Sequence, residues 1–194
     1  PDRTTLSISL HLPQAPSGVT GHPGSRTSSY IAAGNHAADA ELTGERVEHW
    51  YFISGVDVAG CGGTIVALGD SITDGRGATT DGDDRWTDVL AARLPVGAGL
   101  SIVNQGIGGN RVLRDGLGPN ALARLDRDVL AQPGVRYLIV LEGVTDLGVL
   151  TRDHPVPEAE PAALVADLDQ GYRQIVARAP DRRIQVVGRT ILPF

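Results

Sequence analysis

The sequence predicts an α/β fold: a three-layer αβα sandwich around a parallel, flavodoxin-like sheet, preceded by a small β-rich N-terminal segment. Three observations carry this reading. From Gly63 onward short apolar runs alternate with amphipathic ones, the pattern of βαβ units. The apolar runs are nearly continuous, as in strands covered by helices on both faces. Three of those runs lead directly into glycine-containing polar loops.

Taken in chain order, residues 1–59 read as a β-rich accessory segment and 60–194 as the α/β domain. In the first, Leu6, Ile8 and Leu10 alternate with Ser7, Ser9 and His11 like a half-exposed strand, and His49 to Ile53 offers a second. A Pro/Gly/Ser-rich stretch from Pro13 to Ser29 separates them. In the second, strands are expected at 64–68, 100–104, 135–141 and 183–190. Trp86, Val89, Leu90 and Leu94 recur at helical spacing after a cap at Asp83 or Asp84, and Leu122, Leu125 and Val129 form another stripe. The clearest helix carries Leu164, Val165, Leu168, Tyr172, Ile175 and Val176, with Pro161 near its start and Pro180 past its end.

Composition narrows the function classes. The chain has 194 residues, 41% of them hydrophobic, enough for a sizeable core. Its net charge is −6 and all 17 basic residues are scattered arginines, so nothing resembles a polybasic surface for nucleic acid. No run approaches the ~20 apolar residues of a membrane span. Cys61 is the single cysteine, which excludes an intrachain disulfide and a Cys-His metal cluster. Asp74, Asp81, Asp83 and Asp84 lack the Asp-x-Asp-x-Asp-Gly spacing of a calcium loop and read as solvated helix-capping carboxylates. No metal or cofactor is expected. Gly106-Ile107-Gly108 is not a dinucleotide fingerprint, because Arg111 stands where the third glycine belongs, and without lysine there is no phosphate loop. Trp86 reads as core; Trp50 is left open between core and sugar stacking.

The three loops hold the chemistry. Gly69-Asp70-Ser71-Ile72-Thr73-Asp74-Gly75 follows the run Thr64 to Leu68 and places a serine hydroxyl on a turn where it can act as a nucleophile. Asn104-Gln105-Gly106-Ile107-Gly108-Gly109-Asn110-Arg111 follows the second run, and Glu142-Gly143-Val144-Thr145-Asp146 the third. Right-handed crossovers would bring all three to the C-terminal edge of the sheet. These motifs resemble blocks one, two and three of the SGNH hydrolases, the GDSL esterase and lipase family, over about residues 63–194.

The resemblance implies a serine esterase acting through an acyl-enzyme on Ser71, with short-chain esters or acylated carbohydrates as substrates. It further implies an oxyanion hole of Ser71, Gly109 and Thr145, Thr145 standing where the family carries asparagine. Asp70 and Asp146 are read as supports that bond backbone N–H groups, and Asn110-Arg111 as fastening its own loop, with substrate contact as the alternative. The family's Asp-x-x-His block is not met before Pro193-Phe194, and none of His11, His22, His36, His49 and His154 sits in such a motif. Asp153-His154 reads as a surface pair, so no catalytic histidine or its aspartate is assigned. On these grounds the chain is expected to lack the C-terminal part of the domain and to be a weak or inactive esterase, the alternative being a dead ligand-binding member or gene fragment. The resemblance also implies an extracellular protein; oligomeric state is left open.

Overall fold

The computed structural model describes residues 4–14, 16–59, 62–152, 155–157, 159–179 and 183–191. Cys61, Asp153, His154, Pro180 and the Pro193-Phe194 end fall outside them. Two compact units are present, Pro1–Val56 with Ala78–Asp83, and Asp57–Gly77 with Asp84–Phe194.

The first unit holds four short strands: β1 (Gly21–His22), β2 (Ser29–Ile31), β3 (Glu45–Val47) and β4 (Trp50–Tyr51). They form two antiparallel pairs, β1 with β4 and β2 with β3. The strand expected over Leu6–His11 does not form. Alternation needs a partner face to bury its apolar half, and Leu6, Ile8 and Leu10 stand exposed instead. The strand expected at 49–53 is confined to Trp50–Tyr51, because Phe52 has a φ of 62°, a left-handed conformation that breaks extended pairing. Trp50 packs edge-on against His22, ring centroids 5.4 Å apart.

Polar stitches tie Ala78–Asp83 into this unit. Ser28 donates from its N–H to Asp81 Oδ1 at 2.7 Å, Arg46 Nε donates to Ser28 Oγ at 2.9 Å, and Thr80 Oγ1 donates to Glu48 Oε2 at 3.1 Å. Asp81 is therefore a loop tether rather than the expected helix cap. The cap role falls to Asp88, whose carboxylate accepts from Arg85 N–H at 3.1 Å and Arg85 Nε at 2.6 Å.

The second unit is the α/β domain. In order it contains β5 (Gly63–Gly69), the single turn α1 (Ser71–Asp74), α2 (Trp86–Arg93), β6 (Leu100–Gly106), α3 (Ala121–Leu125) running into a π-helical turn Asp126–Leu130, β7 (Val135–Leu141), α4 (Val144–Thr151), α5 (Ala159–Arg178) and β8 (Gln185–Gly188). The four strands form one parallel sheet in the order β6-β5-β7-β8. With right-handed crossovers, moving from β5 one way to β6 and then back across to β7 and β8 puts α2 on one face and α3 and α5 on the other. That is the expected three-layer, flavodoxin-like arrangement.

Its core lies on the α3 and α5 face, where Val66, Leu68, Leu138 and Val140 meet Leu125, Val129, Ile175 and Ala179. Each large buried side chain there contributes roughly 1.5–3 kcal/mol. Burial of every strand on both faces, expected from the apolar runs, holds only for the central β5. Among the described residues strands β6 and β8 are the sheet edges, and β8 exposes Gln185, Val187 and Gly188. The helix stripes shift too: Leu168 and Ile175 of α5 are buried, whereas Val165 and Val176 face outward at 56% and 51% exposure. Trp86 is half-buried and Val89 exposed, so α2 carries a thinner apolar face than its spacing suggested. Among the described residues no helix is long and apolar enough to cross a membrane.

Candidate functional site

The C-terminal ends of β5, β6 and β7 carry the three motifs, and backbone proximity fixes how the first two meet. Gly69 ends β5 and its carbonyl accepts from Ile107 N–H of the β6 loop at 3.0 Å. A Cβ on Gly106 would overlap the amide nitrogen of Asp74 in α1, and one on Gly69 would overlap the Thr73 side chain. Glycine at both strand ends therefore lets α1 sit directly on them.

Ser71 is the first residue of α1, behind Asp70, whose Oδ1 accepts from Ile72 N–H at 2.9 Å as a helix cap. Asp70 is 1% exposed, and burial raises its pKa above the ordinary carboxylate value. Ser71 itself is half-exposed. Among the described residues neither its Oγ nor its N–H has a hydrogen-bond partner.

Gly109 has a φ of 72°, a conformation that side chains rarely adopt. A Cβ there would approach Leu117 Cδ1 at 2.9 Å, but Leu117 is 85% exposed and free to yield, so backbone conformation rather than space demands glycine. The Gly109 N–H also lacks a partner among the described residues. Its neighbour Asn110 is 1% exposed, donates to Pro119 O at 2.8 Å and accepts from Arg124, while Arg111 Nη2 donates to Asp115 O. Both side chains bond within their own loop, and Asn110 is held by α3 as well.

The third motif is not a loop but the start of α4, a helix absent from the sequence reading. Gly143 precedes it with a φ of 110° and no side chain caps it. Thr145 lies in the first turn, half-exposed, its hydroxyl without a partner among the described residues. Asp146 reaches across to the β6 loop, where its Oδ2 accepts from Val112 N–H at 3.0 Å; burial raises its pKa.

Three residues of this region were missed. Arg124 of α3, 1% exposed, donates to Gly69 O at 3.1 Å, Gln105 O at 2.7 Å and Asn110 Oδ1 at 2.8 Å, with Asp128 Oδ2 at 3.2 Å balancing its charge. Glu142, 2% exposed, has neither carboxyl oxygen hydrogen-bonded, and burial pushes its pKa up to about 8. Tyr172 of α5 donates to Glu142 O at 2.8 Å. Glu142 and Tyr172 border a cleft of about 390 Å³ between α5 and the β7 and β8 ends, otherwise lined mainly by apolar side chains such as Val140, Ile175 and Ile191. The available signal was a helical face, Ala121, Arg124, Leu125, Asp128 and Val129, in which two opposite charges interrupt an apolar stripe.

Four of the five histidines lie in the first unit and His154 lies outside the described residues. His36 is occupied there by Asp39 Oδ2 at 2.8 Å and Ala33 O at 2.9 Å. Among the described residues no group of three or more His, Cys, Asp or Glu stands together to hold a metal. Chemically, the arrangement offers a serine hydroxyl on the strand-to-helix turn of the central strand, with unengaged N–H donors on that turn and on the neighbouring loop. This is the donor type that can stabilise charge growing on a carbonyl oxygen.

A family model described as GDSL-like Lipase/Acylhydrolase matches residues 67–194. Solved structures similar to this chain include the SGNH-hydrolase family esterase AlinE4, at 24% identity over 68% of this chain and 60% of that one, with a TM-score of 0.48. The acetyl xylan esterase AlAXEase matches at 18% identity over 64% and 56%, TM-score 0.46. LAE5, an alpha/beta hydrolase enzyme from the metagenome of Lake Arreo, Spain, matches at 27% over 66% and 60%, TM-score 0.43. The chain thus spans less than two thirds of the length of these structures. A search of curated proteins found no match.

Proposed function

The chain belongs to the GDSL-like lipase/acylhydrolase family, and from that premise we propose that it hydrolyses carboxylic esters through an acyl-enzyme on Ser71. In this reaction Ser71 Oγ attacks the ester carbonyl carbon while its proton leaves to a base. The tetrahedral oxyanion is held by the Ser71 and Gly109 N–H groups, with the Thr145 hydroxyl as a third donor. Collapse expels the alcohol, and water then cleaves the acyl-serine. The observation that supports this reading best is a serine hydroxyl at the end of the central strand which, like the Ser71 and Gly109 N–H groups, has no hydrogen-bond partner among the described residues.

Short acyl groups, on simple alcohols or on carbohydrates, are the proposed substrates, and an extracellular setting goes with them; both rest on the family resemblance. A second reading, ligand binding without turnover, draws on Thr145 in place of the family's asparagine and on a serine hydroxyl with no base bonded to it among the described residues. The test is hydrolysis of p-nitrophenyl acetate by the chain and by Ser71→Ala, each with and without added imidazole as an external base. Esterase function predicts a Ser71-dependent rate that grows with imidazole. Equal rates for the two proteins, with binding of an acetylated ligand retained, would support the binding reading instead.

A further inference from the structure

Two of the three groups assigned to this chemistry, Ser71 and Gly109, lie within two residues of an atom held by the same buried cation. Gly69, whose carbonyl Arg124 Nη2 holds, precedes Ser71 by two positions; Asn110, held by Arg124 Nε and Nη2, directly follows Gly109; Gln105, held by Nη1, is the penultimate residue of β6, next to the Gly106 contact with α1. We propose that Arg124 is the positioning residue of the site, one guanidinium fork that sets the nucleophile turn and the Gly109 loop at a fixed separation. The proposal rests on the esterase reading for its chemical meaning and on the hydrogen bonds alone for its geometry.

The chemistry of the side chain fits this task. A planar fork of five donors can engage several acceptors in a fixed relation, whereas a lysine ammonium is a single rotatable point. Three acceptors on two strand ends and one loop are met at once, and Asp128, four residues on, supplies the counter-charge from the π-helical turn. Such turns within helices are frequent at functional sites. A buried charge is a poor device for stability alone, since removal from water offsets most of what its partners return. It is an effective device for fixing geometry. Oxyanion donors act only when they stand at the right distance from the nucleophile, so a shift of the order of 1 Å between the two loops is enough to cost on the order of 10²-fold in rate.

The test compares the full chain with Arg124→Lys, which keeps the charge and loses the fork. Amide hydrogen exchange is read at Ile107, whose N–H is held by Gly69 O, and at Asn110, held by Ile107 O. These two amides should exchange at least tenfold faster in the variant, while Val66 and Leu138 in the sheet stay within about twofold. Ester hydrolysis should lose kcat by ~10–100-fold with KM nearly unchanged, the signature of a lost transition-state geometry. If Arg124→Lys fails to fold, Asn110→Ala removes one acceptor and must loosen residues 107–111 alone. Unchanged exchange at Ile107 and Asn110, or faster exchange spread evenly through the sheet, overturns the proposal. Absence of any Ser71-dependent hydrolysis in the unaltered chain would count against the esterase reading while leaving the exchange result to decide the positioning role.

Discussion

The two units of this chain are ordered by different means. In the α/β domain, β5 is buried along its whole length, glycines let backbone elements touch, and a buried arginine satisfies the strand ends. In the N-terminal unit, among the described residues up to Val56, Ser25 alone is buried, and order comes from short strand pairs and exposed polar bonds around Asp81. Burial is cooperative and intolerant of change, because a packed interior cannot deform locally without loss. Exposed polar bonds are individually weak and locally replaceable.

The sharpest way to break this contrast is a methyl group. Gly106→Ala puts a Cβ onto the Asp74 backbone, whereas Gly18→Ala meets nothing within 4 Å. Denaturant titration should show Gly106→Ala losing more than about 3 kcal/mol or failing to fold, and Gly18→Ala changing stability by less than ~0.5 kcal/mol. Similar losses at both positions would mean that the contrast is wrong.

A second contrast is electrostatic. Glu142 holds its proton to about pH 8 in the fold against an ordinary 4.5, because burial and the nearby Asp70 carboxylate disfavour its charge. The folded state therefore binds the proton more tightly than the unfolded chain. Stability from this group is full below pH 4.5 and is lost as pH rises to about 8. Glu142→Gln should flatten that decline and stabilise the protein at pH 8 by on the order of 3–5 kcal/mol. An unchanged pH slope would place the proton elsewhere. Asp70 and Asp146, shifted upward by burial, work in the same direction.

Much of the α/β unit was legible because its signals are local. Four apolar runs named the four strands to within about two residues at most ends, and three glycine-rich motifs named the strand ends that meet. What was not legible depends on partners distant in sequence. Alternation at Leu6 to Leu10 could not say whether a neighbouring strand exists, and Gly143-Val144-Thr145-Asp146 reads as a loop until one sees it start a helix. Arg124 was hidden because a charged residue in a helical stripe is usually placed on the solvent side, and only the carbonyls of Gly69 and Gln105 explain why this one is inside.

Two smaller effects sharpen the comparison. Thr145→Asn places an amide donor in the first turn of α4, and under the proposed oxyanion role turnover of p-nitrophenyl acetate should rise by ~10²–10³-fold, the worth of one such donor. No gain would mean that this side chain does not face the reacting carbonyl. Asp81→Ala, in the exposed network with Ser28 and Arg46, should shift NMR signals of residues 26–31 and 45–48 and leave the unfolding midpoint of the α/β domain where it was. Loss of that midpoint would show that the N-terminal stitches carry far more than local order.

The most direct measurement is a trapped intermediate. The chain is mixed with p-nitrophenyl acetate and imidazole, quenched in acid, digested and examined by mass spectrometry. Hydrolysis through Ser71 leaves one acetyl group on the peptide that contains Ser71 and none on the corresponding peptide of Ser71→Ala. Ester consumed at equal rates by both proteins, with no acetyl on that peptide, would contradict it.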